Sequence, residues 1–132
     1  MEAKKFKVNV RTAPGCHLVA LSGELDLSTA DMLRRQTEPL AADTGASLTL
    51  DLQELVYIDS TGIGVIVGLL KIRQAAGLGI QVQHVPAKIR RLFDMTGLTR
   101  FLTFLAGESG GGGTVEAARE GVPPADRKED GR

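Results

Sequence analysis

Residues 57 to 66 read Tyr-Ile-Asp-Ser-Thr-Gly-Ile-Gly-Val-Ile, so Asp59, Ser60 and Thr61 place three hydrogen-bonding side chains where a strand-like run meets an apolar helix. One capping residue is enough for the first turn of a helix. The surplus leaves two roles open for Ser60: it, or Asp59, is an ordinary N-cap, or its hydroxyl carries a phosphoryl group. A phosphate at that point would face unpaired backbone N–H groups and the positive end of the helix dipole, so the modified chain can stay folded. A nucleophilic serine would need other surroundings. Gly62 and Gly64 follow Ser60 instead of flanking it, so the hydrolase elbow Gly-x-Ser-x-Gly is absent, and neither His17 nor His84 is close to Ser60 in sequence. Gly62-x-Gly64 opens no dinucleotide fingerprint, because the third glycine position is Val67. Two histidines far apart and one cysteine make no short metal-ligand motif, so a metal site would have to be assembled by folding and rely on carboxylates. Cys16, alone in an apolar stretch, has no partner for an internal disulfide and reads as a buried thiol in a reducing compartment.

The elements that would position this segment follow from periodicity. Lys5 to Arg11 alternates, with Phe6, Val8 and Val10 on one face, and predicts a half-exposed strand. Ala13-Pro14-Gly15 is a turn, and His17 to Leu21 a more apolar strand that closes a hairpin. Ser22-Gly23-Glu24-Leu25-Asp26 leads to Ser28, the expected cap of a helix reaching Thr44, with Leu33, Thr37, Leu40 and Ala41 on one side and Pro39 expected to kink or divide it. A strand over Ser47 to Leu52 precedes Val56-Tyr57-Ile58, and the helix from Thr61 to Ala76 is apolar on nearly all sides, which predicts burial. Gly77-Leu78-Gly79 stops it. A strand over Ile80 to His84, a helix begun by Pro86 that carries Ile89, Leu92 and Phe93, and an apolar run Phe101 to Leu105, strand or helix, complete the body. The β-β-α-β-α-β-α-β order predicts one α/β domain: a mixed, mostly parallel sheet with an N-terminal antiparallel hairpin and helices packed against it. Such sheets bind at the carboxyl ends of their strands, so Asp26 and Asp59-Ser60 are expected on one rim.

The chain has 132 residues, room for one core, and its 16 basic and 16 acidic residues cancel. No global field draws it to nucleic acid or an anionic membrane. Tyr57 is the only tyrosine and there is no tryptophan, which removes the stacking platform of a single-strand binder. Lys88, Arg90 and Arg91, with His84 nearby, flank apolar Ile89 and Leu92 and read as a solvated helix face. No leader-like apolar segment follows Met1, and no run reaches the ~18 apolar residues of a membrane helix, so the expected location is cytoplasmic. Composition divides the chain into a core, 1–105, and a Gly/Pro-rich tail, 106–132. The tail holds Gly110 to Gly113 and Pro123-Pro124, and cannot build its own core. Residues 114–120 are open to a short helix, and the rest of the tail is expected to be disordered.

Three segments, Gly23-Glu24-Leu25-Asp26, Asp51-Leu52 through Asp59-Ser60-Thr61-Gly62-Ile63-Gly64, and Leu92-Phe93-Asp94-Met95-Thr96-Gly97-Leu98, give the chain its likeness to a known family. From about Lys5 to Leu105 it resembles the bacterial anti-sigma factor antagonists, whose module is the STAS domain. The resemblance implies a non-enzymatic phosphoprotein of transcription and stress regulation, with Ser60 as phosphoacceptor and Asp26, Asp59, Thr61, Gly62, Ile63 and Gly64 shaping the partner-binding rim. It implies an anti-sigma factor that is also a serine kinase as one partner and a serine phosphatase as another. The chain itself would hold no cofactor; the kinase would use ATP and magnesium. A non-enzymatic STAS scaffold or small-ligand-sensing module is the alternative. Gly110 to Gly113 depart from the family's usual close-following terminal helix, and Pro39 departs within the first helix.

Overall fold

The computed structural model describes residues 5–105, so the tail and its expected helix at 114–120 lie outside the described residues. In chain order the elements are β1 (Lys7–Ala13), β2 (Cys16–Leu25), α1 (Ala30–Ala41), β3 (Ser47–Ile58), α2 (Ser60–Ala75), β4 (Ile80–Gln83), α3 (Ala87–Thr96), a 3-10 turn (Leu98–Phe101) and β5 (Leu102–Phe104). The sheet order is β1-β2-β3-β4-β5, with β1 antiparallel to β2 and every later pair parallel. This is the expected mixed α/β sheet. Val19, Leu21 and Leu25 of β2 and Leu48, Leu50 and Leu52 of β3 project into one core, which Leu33 of α1, Ile66 and Leu69 of α2 and Phe93 of α3 complete.

Strand lengths depart from expectation. β2 continues through Ser22-Gly23-Glu24 to Leu25, and β3 is one strand of 12 residues rather than two runs. Ala20 and Ser22 pair with Asp51 and Glu54, and Gly23 and Glu24 with Leu55 and Tyr57, so β3 twice accommodates one extra residue. The spacing of its buried apolar residues accordingly changes from two (Leu48, Leu50, Leu52) to three (Leu55, Ile58). Gly23 is a strand residue with φ of 92°, and a Cβ there would stand 2.5 Å from the Lys5 carbonyl oxygen. A turn-forming residue type thus marks a close backbone approach.

The helices also differ. α1 begins after Thr29 rather than at a Ser28 cap, because Ser28 bonds back to Asp26. It ends at Ala41 rather than near Thr44, and Pro39, in its last turn, neither divides nor terminates it. α2 starts at Ser60, one residue early, and is not enclosed on all sides: Ser60, Gly64, Gly68 and Lys71 face solvent while Val65, Ile66, Leu69 and Leu70 face the core. α3 ends on left-handed Gly97, φ 78°. The final run divides, with Phe101 in the 3-10 turn and the strand confined to Leu102–Phe104. Cys16 is a free thiol and half-buried instead of buried.

Candidate functional site

Leu25 pairs with Ile58, and the Asp59 N–H donates to the Leu25 carbonyl at 3.2 Å, so the carboxyl ends of β2 and β3 lie side by side. Asp26 and Asp59-Ser60 leave these adjoining ends, which brings together the two sequence-predicted pieces. Each aspartate then organises its own turn. The Asp59 carboxylate accepts the N–H groups of Thr61 at 2.9 Å and Gly62 at 3.1 Å from an extended backbone, making Asp59 the N-cap of α2. Ser60 is therefore the first helical residue. It is exposed, and its hydroxyl makes no hydrogen bond among the described residues. Thr61 is half-buried.

Asp26 stands across the rim with one carboxylate oxygen accepting the Ser28 N–H at 3.0 Å, the Ser28 hydroxyl at 2.8 Å and the Thr29 hydroxyl at 3.3 Å. The bond from the Ser28 hydroxyl is the main reason its carboxyl lies below the usual aspartate range, so it is ionised at neutral pH. The single Thr29 hydroxyl proton is shared between that carboxylate and the nearer Glu24 carbonyl, and its oxygen accepts the Asp26 N–H, which locks the loop onto the end of β2. Sequence reading passed over Thr29 as a determinant of this rim. The available signal was Asp26-x-Ser28-Thr29, a short polar pattern suited to an aspartate-centred turn. Leu27 between them is 76% exposed and gives the rim an apolar point.

Gly62 and Gly64 do different work. A Cβ on Gly62 would lie 2.7 Å from Leu25 Cγ and 2.9 Å from Ile58 Cγ1, so its absence lets the start of α2 seat against both strand ends. A Cβ on Gly64 would meet nothing within 4 Å. Ile63, between them, is half-buried against the core. The histidines lie elsewhere: His17 bonds Thr12 and Asp43 near the amino end of β2, and His84 lies 3.1 Å from Asp51. Among the described residues no group of three metal-ligating side chains comes together, and no helix is long and apolar enough to cross a membrane. Lys88, Arg90 and Arg91 are exposed on α3, as expected of a solvated face.

A family model described as "Mlab, STAS domain" matches residues 8–105. The chain belongs to the STAS domain family. Members of this family are scaffold and antagonist proteins without catalysis of their own. Over 93 residues the chain is 38% identical to the anti-sigma-B factor antagonist of Bacillus subtilis, covering 70% of this chain and 84% of that protein. In fold it is similar to an anti-sigma factor antagonist from Mycobacterium paratuberculosis, with a TM-score of 0.64, 24% identity, and coverage of 76% and 85% of the two chains. It is likewise similar to the phosphorylated form of the Bacillus cell fate determinant SpoIIAA, with a TM-score of 0.57, 21% identity, and coverage of 80% and 95%.

Proposed function

We propose that this STAS protein is an anti-sigma factor antagonist of the cytoplasm, and that phosphorylation of Ser60 switches it off. Unphosphorylated, it binds an anti-sigma factor that is also a serine kinase, and the sigma factor held by that partner is released to transcription. The kinase, using its own ATP and magnesium, transfers a phosphoryl group to the Ser60 oxygen, and a serine phosphatase removes it by hydrolysis. The observation that carries this reading is the division of labour at the start of α2. Asp59 caps the helix, which leaves the exposed Ser60 hydroxyl without a structural task. The 38% identity to an anti-sigma-B factor antagonist supplies the class of partner. A phosphorylated form of the similarly folded SpoIIAA supports the chemistry.

The physics of the switch is local. A phosphate adds about −1.5 to −2 charges beside the carboxylates of Asp26 and Asp59, and raises the rim to about −3.5 to −4 in all. The dipole of α2 offsets about half a charge at its N-terminus, which favours retention of the fold but leaves the rim strongly anionic. A partner surface matched to the neutral hydroxyl then meets like charge or an uncompensated desolvation cost.

Incubation with the cognate kinase and ATP-magnesium is expected to add one phosphate, mapped by mass spectrometry to Ser60 rather than half-buried Thr61. Ser60→Ala should bind that kinase persistently, and Ser60→Asp at least ~10-fold more weakly, a difference of about 1.4 kcal/mol. Circular dichroism of the same samples separates lost docking from lost folding. Equal affinity of the alanine, aspartate and phosphorylated forms, all folded, would reject the switch.

A further inference from the structure

A cavity of about 350 Å³ opens at the amino ends of the parallel strands, at the other end of the sheet from the Ser60 rim. Its wall includes Ala46 from the turn before β3, Leu78 and Gly79 from the turn before β4, Arg73 of α2, and Gln81 and Thr103, which pair across β4 and β5. Arg73 is 2% exposed, and a guanidinium carries five N–H groups. Four donate to the carbonyls of Ala41, Asp43, Ala46 and Gly79. The fifth, on Nη2, has no acceptor among the described residues, and no carboxylate among them bonds this guanidinium. Asp43 gives its carboxylate to His17 and the Gly45 N–H instead. Burial draws the guanidinium below its ordinary pKa, and the field of Asp43 restores only part of the loss. Around this charge the wall offers further donors. Gln81 Oε1 accepts the Thr49 hydroxyl at 2.9 Å, while the Gln81 amide N–H groups and the Thr103 hydroxyl have no partner among the described residues. No acidic side chain among the described residues lines the cavity, and half-buried Ala46 and Leu78 give it an apolar part.

We infer that this cavity binds a small organic monocarboxylate, with the carboxylate at the donors of Arg73 and Gln81 and the carbon chain against Ala46 and Leu78. Sign is the first reason. A buried cation whose partners are neutral carbonyls, in a wall that adds donors and no acid, favours an anion and disfavours a base. Charge number is the second: one guanidinium with a single N–H left over matches one negative charge, and a phosphate dianion would bring nearly twice that against the same cation. Size is the third, since the volume lies at the lower end of the ~300–1,000 Å³ of small-molecule sites, and the apolar wall suits a short carbon chain. Bound there, the carboxylate stabilises the folded chain by mass action at the point where Arg73 ties three segments together, whatever the state of Ser60.

Arg73 holds the fold, so the site is read through its neighbours. Gln81→Glu keeps an oxygen for Thr49 but replaces the amide donors by negative charge, and Thr103→Glu places the same charge at an exposed position of the wall. The full unphosphorylated chain is titrated with propionate, butyrate and lactate, with neutral butyramide and inorganic phosphate as controls, and followed by amide NMR. At least one carboxylate is expected to shift the amides of Ala46, Ser47, Gly79 and the Gln81 side chain, saturating with a Kd on the order of 1 mM. Butyramide should bind at least ~10-fold more weakly than butyrate, and each variant should lose at least ~10-fold in carboxylate affinity. No saturating shift at these amides from any of the three carboxylates up to ~20 mM would overturn the site. So would equal affinity for butyramide, or unchanged affinity in whichever variant keeps the native spectrum. Phosphate that binds at these amides more tightly than every carboxylate would also overturn it, in favour of a bare-anion site, and shifts confined to the Ser60 rim would move the ligand to the opposite end of the sheet.

Discussion

At the amino ends of the parallel strands, the Arg73 guanidinium donates to the carbonyls of Gly79 at 2.9 Å, Ala46 at 3.0 Å, Asp43 at 3.2 Å and Ala41 at 3.4 Å, while its side chain is almost wholly buried. At the carboxyl ends, Asp26 and Asp59 are just as firmly bonded within their turns, yet Ser60, next to Asp59, is exposed with its hydroxyl unused among the described residues. Both ends are polar, and both draw on residue types that a sequence reader would mark. What separates them is how much hydrogen-bonding capacity remains after folding. At the Arg73 end it is directed inward, joining the end of α1, the turn before β3 and the turn before β4 into one unit. At the Ser60 end the aspartates take over the local bonds, and one reactive group is left facing outward. Arg73, invisible as a feature of the sequence, is thus a structural clamp, and Ser60 a group whose use lies outside the fold.

The sharpest way to break this contrast is to remove the clamp. Arg73→Ala removes the guanidinium donor from four carbonyls, of which only that of Asp43 keeps another, the Ala46 N–H, and should destabilise the protein by about 3–5 kcal/mol in urea denaturation. A loss below about 1 kcal/mol would mean that water reaches these carbonyls readily, and the two ends would no longer differ in kind. The carboxyl end predicts a smaller and opposed pair of effects. Asp59→Ala should cost about 0.5–2 kcal/mol through loss of the cap, whereas Ser60→Ala should stay within about 0.5 kcal/mol of the unmodified chain. Reversal of that order would return the capping role to Ser60 and take away the reason for its free hydroxyl.

The smallest effect comes from midway along the sheet. Burial pushes the Asp51 carboxyl upward, but bonds from the Gln53 N–H, the Gln83 amide and His84 outweigh it and hold it below its ordinary value of 3.8. Since the unfolded chain takes up this proton at a higher pH than the folded one, the contribution of Asp51 is complete above about pH 4. It is lost as pH falls through the lower folded value. Asp51→Asn should therefore flatten the acid loss of stability, by no more than about 1 kcal/mol. An unchanged slope below pH 4 would assign the loss to other carboxylates, such as Asp43, held low chiefly by its bond to His17.

Much of this protein is written in its sequence because the determining forces are local. The β1-β2 hairpin, the punctuation by Gly15, Gly77 and Gly97, and the crossover order are consequences of backbone preference and apolar period, although Val10, expected on the covered face of β1, is exposed. They are sufficient for a mixed α/β sheet with Asp26 and Asp59-Ser60 at strand ends. Three further matters depend on contacts between distant segments. The two extra residues of β3 obscure its period, so its continuity with β2 emerges only when the strands pair. The exposure of one side of α2 is hidden by its apolar composition, because Gly64 and Gly68 face solvent and Ile63 and Val67 beside them are only half-buried. The choice between Asp59 and Ser60 as cap is decided by the extended backbone that β3 imposes on Asp59, pinned by its bond to Leu25. Residue types made both caps possible. Adjacent strand ends selected one, and by doing so left the other hydroxyl free.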